Sequence, residues 1–398
     1  MKPGSAAQSF IGRSLRLFGL LLFGTLAGVL LLEAIVRIIE PHATGVYVAF
    51  NDDMILNHVI PPNVQGRLIR TDFDTDFNTN SLGLRDREFT VSKPPNTFRI
   101  LMLGDSFTVG EGVNHAETFS KLLEAALNAN APSERRIEVI NAGVGSYSPL
   151  LEFLYLRHNG LQLQPDLVVL NFDISDLYDD IQYSQTVRLD GDGVPVAAPF
   201  DPTLNRSIKA DSFLSRLMLE VKDFLKDHIR LYNFVRFRVY LRNEQRKREG
   251  SRSGDLRFDK LAQLRSHYIN RGDEDWALSL EYISLIRDTL QHRNIDFWIT
   301  LYPYGIQVNG WEWREGRKFW DFEADSVYSM WPQEHMEKFC NKAGIKVINM
   351  CEDFKNASVP ERPLYHTFDG HWTSAGHELA TAKLRSHLEP YLKEELLH

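Results

Sequence analysis

Three side chains in the sequence are of the types needed for serine-based acyl transfer. Ser106 follows the apolar run 100–103 and Gly104, whereas Asp369 and His371 lie near the C-terminus. A serine hydroxyl becomes a nucleophile when a neutral histidine takes its proton, and a carboxylate holds that histidine in the required tautomer. The sequence therefore predicts a catalytic triad of Ser106, His371 and Asp369.

The segment around Ser106 predicts how the nucleophile is presented. The apolar run 100–103 is typical of a buried strand, and helical spacing of apolar residues begins near Ala116. A strand, a turn of small residues and a helix together place one side chain at the carboxyl edge of a parallel sheet. There, N–H groups at a helix N-terminus stabilise a developing oxyanion. The simpler alternative is that Asp105 and Ser106 only cap a turn.

The histidines near the C-terminus also allow a second interpretation, a metal site. Four residues there are of metal-ligating types: His366, Asp369, His371 and His377. A metal site leaves Ser106 unexplained, and His371 could also simply cap the last helix, predicted at about 374–388. His377 lies inside that helix, where packing or capping is its simpler role. We therefore predict no metal and no cofactor.

Further strands alternate with helical segments and define the fold class. The predicted strands are 100–103, 136–140, 166–172, 295–301 and 346–350. Apolar runs without alternation fit strands buried on both faces of a parallel sheet. We expect one α/β domain over residues 96–398. The loop before the last helix then lies at the same sheet edge as Ser106.

The N-terminal residues predict a membrane anchor. Residues 17–38 are apolar apart from Glu33 and Arg37, and that length spans a bilayer. Basic residues precede the span, so the positive-inside rule places residues 1–16 in the cytoplasm and the catalytic domain outside it, in the periplasm or at the cell exterior. A cleaved signal peptide is the alternative, although no small-x-small cleavage site follows the apolar run.

Two further segments accompany the α/β domain. Residues 42–95 combine short polar–aromatic alternations with turn residues, which predicts a small β-rich lead-in. Residues of about 181–290 interrupt the strand–helix alternation and form a predicted helical insertion. Its centre, 212–242, carries apolar residues at helical spacing. This helix could pack on the main domain, close over the site as a lid, or lie on a membrane surface.

Composition limits the function classes. The 398 residues are 43% hydrophobic and 25% charged, as in ordinary globular proteins, and the net charge of −8 argues against a nucleic-acid partner. Cys340 and Cys351 are the only cysteines, so the chain is not a disulfide scaffold. They could form one bridge or remain two buried thiols.

Three blocks resemble the SGNH (GDSL-like) hydrolase superfamily: Gly104-Asp105-Ser106, Asn141-Ala142-Gly143 and Asp369-Gly370-His371-Trp372. The resemblance covers about residues 98–180 and 290–390. It implies a three-layer flavodoxin-like parallel sheet, with Ser106 as nucleophile. It also implies an oxyanion hole formed by the N–H groups of Ser106 and Gly143.

Two departures from the family pattern refine this resemblance. The Asp-x-His-Trp spacing is similar to the O-acetyltransferase-like branch that modifies exported polysaccharides, such as alginate acetylation proteins. The family's Gly-x-Asn-Asp block aligns with residues 173–176, which puts Ser175 in the position of the oxyanion-binding asparagine. A serine hydroxyl can donate there, and Asn171 is the alternative donor.

Together these features predict a membrane-anchored serine esterase. Its expected substrate is an O-acyl, most simply O-acetyl, group of an extracytoplasmic glycan, and envelope polysaccharide machinery is a further partner that the resemblance suggests. The alternatives are an O-acetyltransferase on an exported polysaccharide, a catalytically weak glycan-binding or assembly protein, and a lipid esterase or thioesterase. Four tryptophans follow the strand at 295–301, at positions Trp311, Trp313, Trp320 and Trp331. Their aromatic faces suit sugar rings and a protein core equally well.

Overall fold

The computed structural model describes most of the chain. The described residues are 5–39, 50–132, 134–201, 218, 221–222, 224–225, 228–236, 238–239, 242, 259–264 and 273–395. The chain forms two units. One comprises Met1–Val46 and Ile208–Asn243, and the other comprises Tyr47–Ser207 and Glu244–His398.

The smaller unit contains the long helix α1 (Ser5–Ile39). Its segment Arg16–Ile39 has a mean hydropathy of 2.2 and is long and apolar enough to cross a membrane. The side chains of this segment are almost all exposed. An apolar helix near the N-terminus fits a membrane anchor or a signal sequence.

The larger unit combines a parallel sheet with small hairpins. In chain order its strands are β1 (Asn51–Asp52), β2 (His58–Val59), β3 (Gln65–Ile69), β4 (Asp74–Asn78), β5 (Thr97–Gly104), β6 (Arg136–Asn141), β7 (Leu167–Phe172), β8 (Arg188–Leu189), β9 (Pro195–Ala197), β10 (Asp296–Leu301) and β11 (Lys346–Asn349). The central sheet has the order β6-β5-β7-β10-β11, and all its pairings are parallel. In chain order this is 2-1-3-4-5, the flavodoxin-like arrangement.

Helices cover both faces of this sheet. In chain order they are α2 (Ser106–Val109), α3 (Phe119–Asn130), α4 (Pro149–His158), α5 (Asp176–Ser184), α6 (Ala277–Gln291), α7 (Gly305–Val308), α8 (Arg314–Phe319), α9 (Trp331–Ala343), α10 (Cys351–Ala357) and α11 (Ser374–Glu395). Right-handed crossovers put α3 on one face and α4, α6 and α9 on the other, because the strand order reverses at β5. Helix α11 packs against α3. The predicted three-layer parallel α/β fold is confirmed.

The core explains why the strands lack polar alternation. Every residue of β7 is buried, and β5 is buried from Arg99 to its end. Such strands contact a helix layer on each face and therefore need apolar side chains on both. The carboxyl ends of β5, β6 and β7 meet at one edge, where the strand order reverses, which is the usual position of a ligand site in this fold.

The lead-in is built on two short antiparallel pairs, β1–β2 and β3–β4. Phe73 and Phe77 of the second hairpin are buried in the main core. Arg85 is fully buried, and its guanidinium donates to the carbonyls of Asp76, Val109, Gly110 and Val113 at 2.5 to 3.1 Å. These bonds fasten the lead-in to the end of α2.

Much of the region predicted as a helical insertion belongs to the α/β unit. Helix α5, the β8–β9 hairpin and α6 lie within residues 176–291, and α6 packs against α4 and β10. Residues 208–243 instead group with α1. Part of the centre predicted at 212–242 lies outside the described residues.

Candidate active site

The turn that presents Ser106 is short and tightly built. Gly104 has a φ of +151°, and a Cβ there would lie 2.1 Å from Oγ1 of Thr108, so only glycine fits. The Asp105 carboxylate caps α2 by accepting the N–H of Phe107 at 2.9 Å. Ser106 is the first residue of α2 and stands, half-buried, at the carboxyl edge of the sheet.

Two C-terminal side chains meet Ser106 at this edge. Nε2 of His371 lies 2.7 Å from Oγ of Ser106, and Nδ1 of His371 is hydrogen-bonded to Oδ1 of Asp369. One imidazole nitrogen thus faces the serine and the other a carboxylate, which is the arrangement that proton transfer from the serine needs. The structure brings together all three residues named from the sequence.

The loop that carries Asp369 is held from two sides. Asp72, between β3 and β4, accepts the N–H groups of Phe368 and Asp369 at 2.6 and 2.7 Å. The indole N–H of Trp313 donates to the Phe368 carbonyl at 2.9 Å. Gly370 has a φ of +92°, and a Cβ there would lie 2.6 Å from Nε1 of Trp313. Glycine is therefore required in the middle of the Asp-x-His motif.

Burial and charge shift the pKa values of the His371–Asp369 pair in opposite directions. Burial alone would lower the pKa of His371, but the Asp369 carboxylate outweighs it and raises the pKa to about 9. Burial alone would raise the pKa of Asp369, but the charge and hydrogen bond of His371 lower it to about 2. Asp369 therefore stays ionised, and His371 must lose a proton before it can accept one from Ser106.

The triad opens into a cleft at the carboxyl edge of the sheet. Its walls include the aromatic rings of Tyr304, Trp313 and Trp320. The ammonium of Lys260, another lining residue, lies 5.7 Å from the centre of the Trp320 ring, within the range of a cation–π contact. Aromatic faces beside a polar group are suited to sugar rings.

The four tryptophans considered from the sequence have different surroundings. Trp313 and Trp320 line the cleft. Trp331 packs against Trp276 and His335, with ring centres 5.9 and 5.0 Å away. Trp313 is also buried in the core, so Trp320 is the more exposed of the two tryptophans at the cleft.

Two of the oxyanion donors named from the sequence, Ser106 and Ser175, line the cleft. The N–H of Ser106 is the first of α2 and has no partner within that helix. Ser175 follows the carboxyl end of β7, lines the cleft and is hydrogen-bonded to the Tyr304 hydroxyl. Because Tyr304 donates its own hydroxyl proton to Asp173 at 2.8 Å, the Ser175 hydroxyl donates to Tyr304. It has to rotate away from Tyr304 to reach an oxyanion, in the role that the resemblance gives to asparagine.

The structure corrects the assignment of Gly143 as an oxyanion donor. Its N–H donates to Oδ1 of Asn141 at 3.0 Å, so this group is engaged inside its own turn. A Cβ at Gly143 would lie 2.4 Å from the backbone nitrogen of Val109. The glycine is needed because α2 packs directly on it.

The structure also excludes Asn171 as the alternative donor. Its amide group donates to the Leu103 carbonyl at 3.3 Å and to Oγ1 of Thr108 at 3.0 Å. Its carbonyl oxygen accepts a hydrogen bond from Thr300. Asn171 is buried and ties β7 to its neighbours, with no amide hydrogen left for a substrate.

Ser146 is a further cleft residue, which no motif in the sequence indicates. It has a φ of +63° and lines the cleft. Its backbone N–H donates no hydrogen bond to any residue that the structure describes. This N–H is the better candidate for the role assigned to Gly143, and no sequence signal marks a serine at positive φ.

A group of buried carboxyls lies behind the nucleophile. Carboxylate oxygens of Asp105, Asp173 and Asp176 lie within 4.8 Å of one another. Asp173 accepts hydrogen bonds from the hydroxyls of Tyr304 and Tyr302 at 2.8 and 3.1 Å. Burial, with a further contribution from the charge of Asp173, raises the pKa of Asp105 to about 7.

The histidines proposed for a metal site have other partners. His366 is hydrogen-bonded to the Gly112 carbonyl at 3.0 Å, and Nδ1 of His377 accepts the Phe119 N–H at 3.1 Å. In the described part of the chain, the one set of side chains whose geometry could hold a metal ion is the cluster of Asp105, Asp173 and Asp176. The histidines are not part of it. The two cysteines are both buried free thiols.

No protein-family model and no curated protein matches this sequence. Solved structures do match. The acetyl xylan esterase AlAXEase is 12% identical over 73% of this chain and 99% of its own, with a TM-score of 0.37. The esterase EstA from Pseudoalteromonas sp. is 11% identical over 75% and 99%, with a TM-score of 0.35.

A third similar structure belongs to a two-domain esterase, CEX, that is active on acetylated mannans. It is 11% identical over 74% of this chain, with a TM-score of 0.37, and only 49% of its own chain is covered. None of these similarities sets the substrate or mechanism of this chain. The order of the sheet and the helix layers on its two faces establish the fold. The evidence on function is the geometry of the site.

Proposed function

We propose that the protein is a serine esterase that removes small O-acyl groups, most simply O-acetyl, from a glycan. The observation that carries this proposal is the 2.7 Å contact between Oγ of Ser106 and Nε2 of His371, with Asp369 on the opposite nitrogen. A serine that only caps a helix does not need a histidine–carboxylate pair aimed at its hydroxyl.

The first half of the reaction makes an acyl-enzyme. Neutral His371 takes the hydroxyl proton of Ser106, and Oγ attacks the ester carbonyl carbon. The carbonyl oxygen becomes an oxyanion, which the N–H of Ser106 and the hydroxyl of Ser175 stabilise together with the N–H of Ser146. When the tetrahedral intermediate collapses, the sugar oxygen leaves and takes the proton from His371.

The second half releases the acyl group. Water gives a proton to His371 and attacks the acyl-enzyme carbonyl. The new intermediate collapses to a carboxylic acid, and Oγ of Ser106 recovers its proton from His371. Asp369 stays ionised throughout and orients the imidazole.

Transfer to a second sugar hydroxyl is the alternative fate of the acyl-enzyme. The observation that favours it is the cleft beside Ser106, where the partly exposed Trp320 can contact an acceptor ring. This would make the protein an O-acetyltransferase, as the resemblance to the Asp-x-His-Trp branch suggests. Acceptor sugars added to an acetyl-ester assay separate the two fates, because transfer yields a newly acetylated sugar and hydrolysis yields acetate.

We further propose that α1 is retained as a single-pass anchor and that the α/β unit is extracytoplasmic. The apolar segment Arg16–Ile39 and the basic residues before it support this topology. On this topology the substrate is a glycan outside the cytoplasm, with envelope polysaccharide machinery as the expected partner.

The test of the proposed function is acetyl-ester turnover by the protein and its Ser106→Ala variant. We expect release of acetate from acetylated oligosaccharides to fall by more than about a thousandfold in the variant, because the nucleophile is lost. Unchanged turnover in Ser106→Ala would overturn the esterase. Absence of turnover in both folded proteins would favour a glycan-binding or assembly role. A preference for long acyl chains would favour the lipid esterase or thioesterase.

A further inference from the structure

Residues 208–243, which group with α1 and are called the insertion below, contain a break between two helical segments at residue 229. An ion pair on α1 forms hydrogen bonds with the backbone on both sides of this break. Glu33 accepts the backbone N–H groups of Arg230 and Leu231 at 3.1 and 2.7 Å. Arg37 donates to the backbone carbonyl of His228 at 3.0 Å. Glu33 and Arg37 are themselves paired at 2.7 Å.

This arrangement matches the charges at helix ends. A helix N-terminus carries free N–H groups and partial positive charge, so the Glu33 carboxylate suits the start of the segment at Arg230. A helix C-terminus carries free carbonyls and partial negative charge, so the Arg37 guanidinium suits the end of the segment at His228. The two charges, inside an otherwise apolar span, thus have defined partners in the insertion.

These hydrogen bonds determine the position along α1 at which the insertion is bound. Glu33 and Arg37 lie in the last two turns of the segment Arg16–Ile39, whose length suits a bilayer. Residues bonded to them therefore lie near the end of the span, at the boundary between hydrocarbon and water.

The described residues of the insertion expose an apolar face. The large apolar side chains that are at least half exposed are Met218, Val221, Phe224, Val235 and Val239. The first three recur every third residue, and the last two are four residues apart, so each set follows one side of its helical segment.

The sequence of the second segment has the composition of a membrane interface. Residues 230–242 contain four arginines, four aromatic residues (Tyr232, Phe234, Phe237 and Tyr240) and no acidic residue. Residues 218–229 contain three acidic residues and two lysines, so the basic character belongs to the second segment alone. Arginine and aromatic residues favour the head-group region, where the guanidinium can bind lipid phosphate. The charge of the second segment and the exposed apolar side chains thus both indicate contact with a lipid membrane.

We propose that the described residues between 218 and 242 lie on the membrane surface, with their exposed apolar face in the acyl boundary and the basic second segment at the level of the head-group phosphates. The Glu33–Arg37 ion pair holds this segment against α1 at the end of the span. The protein then has a second membrane contact besides its anchor. This proposal rests on the proposed retention of α1 in the membrane, and it does not depend on the esterase activity.

The experiment uses full-length protein in nanodiscs that contain anionic lipid and nitroxide-labelled lipid. Single environment-sensitive dyes are attached at Phe224→Cys, at Lys222→Cys on another side of the same segment, and at Leu21→Cys in α1. The native cysteines are buried, and burial raises the pKa of the Cys340 thiol to about 12, so they label slowly. We expect quenching at 21 and 224, at least about twofold stronger at 224 than at 222.

Each other outcome overturns the proposal. Quenching at 21 without quenching at 224 would retain the anchor and exclude the second contact. A water-shielded dye at 224 that lipid does not quench would show that protein covers this face. Absence of quenching at both 21 and 224 would overturn the anchor and the second contact together. Quenching at 224 that is unchanged by Glu33→Ala would contradict docking through the ion pair.

Discussion

Asp72 and Asp369 are 297 residues apart in sequence and joined by a hydrogen bond, in which Asp72 accepts the backbone N–H of Asp369 at 2.7 Å. The same carboxylate oxygen accepts the N–H of Phe368. The lead-in therefore contributes directly to the position of the loop that orients His371. This contact makes the lead-in part of the active-site architecture.

Removal of this contact should impair catalysis through misplacement of His371. We expect Asp72→Ala to lower kcat/KM by about 10- to 100-fold, because two hydrogen bonds to a charged acceptor are lost and small displacements of a catalytic base are costly. Asp72→Asn keeps an oxygen acceptor and should retain most of the activity. Steady-state kinetics and melting temperatures of both variants provide the measurement. A fall in melting temperature without a change in kcat/KM would contradict the positioning role.

The pH dependence of activity should follow His371. Only the neutral imidazole accepts the proton of Ser106, and the pKa of His371 is raised to about 9, so kcat/KM should increase with pH up to about that value. Asp369→Asn removes the carboxylate that raises the pKa of His371. The rise of kcat/KM with pH should therefore occur at lower pH, and the maximal kcat/KM should fall by about 10⁴-fold. A pH profile identical in shape for both proteins would contradict the assignment of Asp369.

Ser175 should contribute to transition-state stabilisation. We expect Ser175→Ala to lower kcat by about 100-fold with little change in KM, because an oxyanion donor acts in the transition state. Ser146→Ala is the matched control, since it removes a hydroxyl at the same cleft and leaves the backbone N–H in place. Equal kinetics for Ser175→Ala and the unmodified protein would show that its hydroxyl does not contact the oxyanion.

Gly370 should be irreplaceable for steric as well as conformational reasons. An alanine Cβ would lie 2.6 Å from Nε1 of Trp313, at a φ of +92°. We expect Gly370→Ala to lower kcat/KM more than about tenfold, because Asp369 and His371 lie on either side. Gly193→Ala is the control, since it has a φ of +80° and nothing within 4 Å of the added Cβ. If both variants are equally active, the close contact with Trp313 does not shape the loop.

The sequence was informative where one local pattern determined the structure. The strands of the sheet were visible as apolar runs, and Ser106 was visible as a reactive residue directly after one of them. Asp369 and His371 were visible as reactive residues just before the last helix, and in a doubly wound sheet that loop lies at the same edge as the carboxyl ends of the strands. These features need no knowledge of distant contacts.

The sequence was uninformative where contacts between distant segments decided the role. Gly143 and Asn171 look like oxyanion donors, but their hydrogen-bonding groups are used by Asn141 and by Thr108. Asp72 has no local pattern that links it to a loop almost 300 residues away. Side chains that serve a partner far along the chain carry no periodicity of their own.

The most direct test of the central claim, an activated Ser106, is covalent labelling. The protein is treated with a fluorophosphonate and its peptides are analysed by mass spectrometry, alongside the His371→Ala and Ser106→Ala variants. We expect one phosphonate adduct, on Ser106, which is lost in His371→Ala because an unactivated serine is a poor nucleophile and in Ser106→Ala because the nucleophile is absent. A folded protein that forms no adduct, or an adduct on Ser106 that persists in His371→Ala, would contradict this claim.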